Sequence, residues 1–298
     1  MSSCIRELSI NDLYHIQALC ETIWEGNDYV PEIFPIWMQN PLSKTIGLFE
    51  DDELLAIGNL ERIKDTDIAW IQGLRVKEGH REKGYAKSIT NRLTNVAKDL
   101  GIKHLWYATG SRNEASIKVA EKCRFHIADK TGYFRIYKPY PEHSKPSLSI
   151  VPLNVSPERL HELLIANPDF VESQTFPLAW HFDFKTLEGL TRLLENAIIK
   201  VVLDEVGKMQ GFYCLVERRR KEERTAAFSV FAIDRSVFVD IMSRMIDKAE
   251  SVRADRAVFF LGPRVTEWAL NLGYVAEEFI GRKFLLYELN PQEEYALR

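Results

Sequence analysis

The chain has 298 residues, of which 46% are apolar and 28% charged, with a formal net charge of −4. That balance excludes a disordered chain and leaves no electrostatic footing for non-specific nucleic-acid binding. No stretch reaches the apolar length of a membrane span, and the first residues lack the basic-then-apolar pattern of a signal peptide. The cysteines Cys4, Cys20, Cys123 and Cys214 form no CxxC pair, and the histidines show no metal-ligand spacing. A cytoplasmic protein without a metal is the expectation, and the length fits one large domain or two ordinary ones.

The first half reads as mixed α/β. A short strand over residues 5–8 leads to a helix expected to begin at Asn11 as its N-cap. Leu13, Ile16, Leu19, Cys20 and Ile23 give that helix one apolar face. Residues 24–29 and the segment broken by Pro31, Pro35 and Pro41 read as a loop with short helical turns. Strands are expected at 45–50, 54–64 and 68–76. Ala86, Ile89, Leu93, Val96, Ala97 and Leu100 then mark an amphipathic helix closed by Gly101. A strand at 104–108, a helix at 113–122 and two strands within 125–138 complete this half.

Pro139, Pro141 and Pro146 mark a linker, so the sequence divides into domains at 1–140 and 147–298. The second half begins with a strand near 148–153 and a helix at Pro157, capped by Ser156. A hairpin (200–203 and 211–217), a strand at 226–232 and a long helix bearing Phe238, Ile241, Met242, Met245, Ala249 and Val252 follow. The basic run Arg218-Arg219-Arg220-Lys221, met at once by Glu222-Glu223, reads as the solvated end of a hairpin. Phe125 to Gly132 and Tyr274 to Gly281 share one spacing after a helical pattern, which points to a duplicated fold.

The chemistry concentrates between Gly73 and Ala86. This segment follows a strand and opens a helix, whose first N–H groups and dipole favour an anion. Gly84 leaves room for a phosphate at the main chain, and Arg81, Lys83 and Lys87 add positive charge. Gly84 is equally well explained as a corner that needs an unusual backbone angle. Asn113, opening the next helix, is explained by N-capping alone or by a ligand contact as well.

Val76, Arg81, Gly84 and Ala86, followed by Asn113, Ser116 and Phe125 in strand and helix context, resemble the GNAT superfamily of acyl-CoA-dependent N-acyltransferases over residues 4–138. The resemblance implies a GNAT-type α/β (mixed α+β sheet) N-terminal domain that catalyses acetyl transfer from acetyl-CoA. The second half has no comparable glycine loop at 230–237, so it is expected to be a degenerate GNAT-like domain without cofactor. In the family, the loop corresponding to Arg81, Lys83, Gly84, Tyr85 and Ala86 cradles the coenzyme A pyrophosphate. Leu74 to Val76 bonds the pantetheine arm, and Asn113 contacts the same cosubstrate. Two positions depart from the pattern: Ala120 stands where many members carry a tyrosine acid, and Arg124 where a glycine is usual. Tyr107, Tyr85 and Tyr133 are the open substitutes, although a thiol of pKa about 8.5 leaves tolerably well without full protonation.

Direct attack by an amine needs a base, oxyanion donors and release of a thiol. Backbone N–H groups near Leu74 and Val76 are the expected oxyanion donors. Glu25, Asp28 and Glu61 are the candidate catalytic carboxylates; for each, a solvated carboxylate is the competing reading. The stretch from Trp24 to Glu32, with Phe34 and Trp37, also resembles vertebrate histidine N-acetyltransferases and their relatives. That likeness implies a small-molecule amine acceptor such as a free amino acid, with Tyr29 and Trp37 flanking its side chain. The expected assembly is a monomer or homodimer with no membrane or nucleic-acid partner. Acetylation of proteins or peptides, and a non-catalytic acyl-CoA-binding module, are the competing readings.

Overall fold

The computed structural model describes residues 3–143 and 151–293. Contact density divides them into two units: 3–109, 113–128 and 286–293 form the first, and 110–112, 129–143 and 151–285 the second. No helix among the described residues is long and apolar enough to cross a membrane.

In chain order the first unit contains β1 (Ser3–Glu7), α1 (Leu13–Cys20), α2 (Val30–Gln39), β2 (Ser43–Glu50), β3 (Glu53–Arg62), β4 (Ile68–Val76), α3 (Tyr85–Asp99), β5 (His104–Gly110) and α4 (Glu114–Lys122). Its sheet runs β1-β2-β3-β4-β5, antiparallel as far as β4 and parallel between β4 and β5. Ile16, Leu19, Phe34 and Trp37 of α1 and α2 pack on Phe49, Leu54 and Ile57 of the sheet. Strand alternation sends the neighbouring Gly58 to the opposite face, against Ile89 and Leu93 of α3.

Two local expectations need correction here. Asn11 does not cap the first helix. A short 3-10 turn over Ile10–Asp12 precedes α1, and Asp12 closes it by accepting from Ser9 N at 2.8 Å and from the Arg6 guanidinium. The proline-broken segment is not a loop but the ten-residue helix α2, with Pro31 in its first turn and Pro35 inside. A proline inside a helix removes a bond and crowds the preceding turn. Burial of Val30, Phe34 and Trp37 on one face outweighs that cost, as tertiary packing outweighs propensity in most helices.

Residues 125–138 form one strand, β6 (His126–Tyr137), rather than two. Gly132 within it is a point of close approach, where an added Cβ would lie 2.0 Å from Thr266 Oγ1. The second unit takes β6 from Asp129 onward and adds β7 (Val151–Asn154), α5 (Pro157–Ala166), β8 (Thr175–Leu178), β9 (His181–Phe184) and α6 (Leu187–Leu194). It continues with β10 (Ile198–Leu203), β11 (Met209–Arg220), β12 (Glu223–Ala232), α7 (Arg235–Ser251), β13 (Arg256–Leu261) and α8 (Pro263–Asn271). Its sheet runs β6-β13-β12-β11-β10-β7, with β8 and β9 as a separate hairpin. The strand expected at 148–153 begins outside the described residues; Val151–Asn154 is its described part.

The last strand, β14 (Lys283–Leu289), returns to the first unit from Leu286 onward. There Glu288 Oε1 lies 2.5 Å from His104 Nδ1, and Gln292 donates to the Lys98 and Ile102 carbonyls. Contact density therefore cuts the chain at Ala128 and Leu285, where composition suggests a cut at 140–147. A strand joins whichever edge it pairs with, which composition does not disclose.

The two halves end their last α-helices alike. Phe125 N bonds the Ala120 carbonyl at 2.9 Å beside Arg124 at φ 66, and Tyr274 N bonds Ala269 at 3.0 Å beside Gly273 at φ 79. Arg124 thus occupies a left-handed position that costs an L-residue about 1–2 kcal/mol. Arg124→Gly should raise unfolding stability by about 0.5–1 kcal/mol, because glycine's extra unfolded-state entropy offsets part of the relief. Denaturant titration checks this; unchanged or lower stability would refute the strain.

Candidate active site

The parallel ladder between β4 and β5 stops early. It pairs Ile68–Ile71 with His104–Tyr107, yet β4 runs on to Val76 and β5 to Gly110. On its other edge β4 stays bound to β3 as far as the Ala56–Val76 pair. Beyond Ile71, β4 therefore offers backbone groups that have no ladder partner on β5. A bulge accompanies the parting: Gly73 and Leu74 lie opposite the single residue Gly58. Gly73 sits at φ +63, and a Cβ there would fall 2.3 Å from the Trp37 ring. The indole of α2 fills the space that glycine leaves.

From Val76 the chain turns through Lys77–Gly84 into α3. Glu82 takes φ 67 and Gly84 φ 88, and Gly84 is the N-cap with no side chain bonding the first turn. A Cβ on Gly84 would meet nothing within 4 Å. The glycine therefore serves its backbone angle and borders open space. Unpaired N–H groups, the helix dipole and the exposed Arg81 and Lys83 together make a corner that favours an anion. The Tyr85 hydroxyl donates to Glu50 Oε1 at 2.7 Å, a bond that raises the phenol pKa and ties the helix start to the end of β2. Ala86 sits half-buried one residue later. Asn113 caps α4, its Oδ1 accepting from Ser116 N at 3.3 Å, and its side chain is exposed.

The expected carboxylates separate into three environments. Both oxygens of the buried Asp28 accept from Arg75, Nε at 2.6 Å and Nη2 at 3.0 Å, and Oδ1 also accepts from Val30 N. Arg75 further donates to the Leu74 carbonyl, and its guanidinium lies 4.6 Å from the Trp24 ring and 5.0 Å from Tyr29. Burial works against the Arg75 charge, and its contacts with Asp28 and Tyr29 more than offset it. Glu61, half-buried on β3, accepts from Asn40 Nδ2 at 3.0 Å and from Gln72 Nε2. Glu25 is exposed within a run of three left-handed residues, Trp24 (φ 49), Glu25 (φ 57) and Gly26 (φ 78). Of the two expected acceptor-side aromatics, Tyr29 belongs to the Arg75 cluster, while Trp37 is buried against Gly73.

Ala120 is buried, so its position presents no acid. Among the alternative phenols, Tyr85 is tied to Glu50, and Tyr133, in the second unit, accepts from Arg135 at 2.5 Å. Tyr107 is the last β5 residue paired before the strands part. Burial pushes its pKa up to about 12, with Ser116 and the Arg75 charge pulling the other way.

Residues 10–125 match the family model of the acetyltransferase (GNAT) family. That segment of the first unit is a GNAT domain. No curated protein matches it. Among solved structures, a putative acetyltransferase from Thermoplasma acidophilum aligns over 96% of this chain and 99% of its own, with TM-score 0.59 and 16% identity. A tandem GNAT protein from the clavulanic acid biosynthesis pathway covers 97% and 99%, with TM-score 0.58 and 10% identity. A GCN5-related N-acetyltransferase from Sphaerobacter thermophilus covers 97% and 96%, at 0.62 and 10%. At those identities the likeness is one of fold, and it extends over both halves.

The second GNAT-like unit closes the corresponding corner. Its β12–β13 ladder holds as far as Val230–Leu261, and Asp234 caps α7 by accepting from Val237 N at 2.9 Å. Sequence reading missed Arg75, Gln72, Asn40 and Trp24. Arg75 lay inside the strand assigned to the cosubstrate, and only the register shows its side chain turned toward Asp28. The contact between Trp37 and Gly73 is open to test. Gly73→Val should cost at least about 2 kcal/mol through overpacking and its positive φ. Adding Trp37→Ala should recover about 1 kcal/mol of that in a double-mutant cycle; strict additivity would show that the indole does not key the bulge.

Proposed function

We propose that the first unit acetylates the primary amine of a small molecule, a free amino acid, with histidine the first to test. The carrying observation is the run of β4 beyond Ile71 without a β5 partner, leading through Gly84 into an uncapped helix. That arrangement fits acetyl-CoA. Backbone groups of Leu74 and Val76 would hold its pantetheine arm, and Arg81, Lys83 and the main chain from Gly84 through Tyr85 to Ala86 would hold its diphosphate. Asn113 would add a contact beside its capping bond. When bound, acetyl-CoA supplies the acetyl group as a thioester.

The protein's own groups divide the remaining work. Main-chain N–H groups at Leu74 and Val76 polarise the acyl oxygen. Glu61, steered by Asn40 and Gln72, accepts the proton that the ammonium must lose before it attacks. An α-amine of pKa about 8 asks less of that base than a lysine of about 10.4, which favours a free amino acid. The Tyr107 hydroxyl, protonated across the neutral range, donates toward the departing sulfur. Asp28, with both oxygens on Arg75, holds the mouth of the site in place. Glu25 meets the incoming ammonium, and Trp24 and Tyr29 offer ring surface to the acceptor side chain. Trp37 acts by holding the bulge. The exposure of Trp24 and Glu25 is what favours the peptide reading.

Thiol release from acetyl-CoA, measured against free amino acids, polyamines and short peptides, tests this. Activity is expected with amino acids and not with peptides, and Gly84→Trp should abolish it by filling the space at the helix start. Glu61→Gln should lower kcat by about 10²–10⁴-fold with acetyl-CoA affinity retained, the range for loss of a general base. Turnover of peptides alone would transfer the assignment to a peptide acceptor. Acetyl-CoA binding with no turnover across the panel would favour the binding-only reading.

A further inference from the structure

The anion-favouring corner of the first unit is held from outside by a turn that the acyl-transfer reading leaves unused. Residues 81–84 are exposed, and Gly79, Glu82 and Gly84 take φ of 76, 67 and 88. A Cβ on either glycine would meet nothing within 4 Å, so packing does little to fix this segment. Exposed stretches of this kind sit at the low-stability end of a structure unless something ties them down. Here two ties hold the segment, one at each end, and both come from the turn between β2 and β3.

Glu50 ends β2, Glu53 begins β3, and the two are paired directly across the hairpin. Their side chains share the face of α3, because the neighbouring Phe49 and Leu54 pack on the other face with α1 and α2. Like charges directly opposite on one face destabilise a hairpin. Asp51 and Asp52 at the tip add two more carboxylates, in left-handed conformations at φ 46 and 67. As a turn alone this sequence is a poor choice, since Asn-Gly meets the same backbone demand without the charge. Each glutamate has its partner outside the hairpin. Glu50 Oε1 accepts from the Tyr85 hydroxyl at 2.7 Å, where the segment enters α3. Glu53 pairs with the Lys77 ammonium, where the segment leaves β4, and that contact lowers the Glu53 pKa. The Lys77 N–H donates to the Leu55 carbonyl at 2.8 Å, and the His80 ring lies 6.5 Å from that of Tyr85.

Charge alone argues against this placement. Carboxylates beside an anion site repel the anion, although screening keeps the effect small for exposed groups. A loop already held in its binding conformation lowers the ordering cost of binding, which is what the two ties can offer in return. We propose that Glu50 and Glu53 are positioning residues for the acyl-CoA diphosphate, holding residues 77–85 in the conformation that binds it without touching the ligand. The proposal rests on the reading of this corner as the acyl-CoA site. It gives the Tyr85 hydroxyl a part in binding besides that of the Tyr85 main chain.

Calorimetric titration of the full chain with acetyl-CoA tests it. Glu50→Ala removes the acceptor of the Tyr85 hydroxyl and should raise Kd about threefold to tenfold, the range for one hydrogen bond. Glu50→Gln keeps an acceptor oxygen and loses the charge, so it should bind at least as tightly as wild type. Asp52→Asn removes a charge from the same turn at a left-handed position that asparagine tolerates, and it should do the same. Tyr85→Phe should weaken binding as Glu50→Ala does, and the double variant no further than either alone. Glu53→Ala should raise Kd about twofold to fivefold, less because its ion pair is more exposed. Thermal unfolding without ligand should be unchanged across the series, which separates positioning from loss of fold. An unchanged or tighter Kd in either alanine variant would overturn the proposal and leave the acetyl-transfer reading standing. Weakening by Glu50→Gln or Asp52→Asn as large as that by Glu50→Ala would do likewise. No binding of acetyl-CoA by wild type would overturn both.

Discussion

The site in the first unit depends on one strand leaving its neighbour. Parallel ladders are slightly weaker per residue than antiparallel ones, but a ladder does not stop without cause. Here the cause is steric. The bulge at Gly73–Leu74 reaims β4, and the Trp37 ring occupies the space where a side chain at Gly73 would stand. Trp37 is in turn delivered by a helix that contains an internal proline and persists through the burial of its apolar face. Beyond Ile71 the backbone groups of β4 have no partner on β5, so they are open to one from outside the ladder.

The mouth of the site shows the same logic in electrostatic form. Trp24 and Glu25 are held in left-handed conformations that cost roughly 1–2 kcal/mol each. The bidentate Asp28–Arg75 pair and the rings of Trp24 and Tyr29 around the guanidinium hold the loop in that state. Such a buried pair carries a large desolvation penalty, and its service is to fix geometry more than to add net stability. Under the proposed function an acceptor would meet this surface already arranged, with little ordering entropy opposing binding.

Much of this was legible in the sequence where chemistry is carried by backbone. Gly84 and Ala86 announce a helix start, and the helix start announces an anion, whatever the side chains nearby. Arg124 illustrates the limit: a left-handed helix end can be occupied by a residue that does not advertise it, so the missing glycine hid a turn that exists. The carboxylates were harder. Glu25, Asp28 and Glu61 are equivalent as letters, and what separates them is a partner 47 residues from Asp28 and another 11 residues from Glu61. Long-range pairing of this kind is set by register and bulges. A one-residue slip in β4 would turn Arg75 to the other face.

The two halves make the point by contrast, since they share their helix endings and differ at one corner. In the second unit the strand runs straight into α7 and the Asp234 side chain supplies what the first N–H groups lack. A helix start satisfied from within has no use for an external anion. The ladder beside it holds to Val230–Leu261, so β12 runs two residues past its last β13 partner where β4 runs five past its last β5 partner. One internal cap and a longer parallel ladder distinguish this corner from that of the first unit.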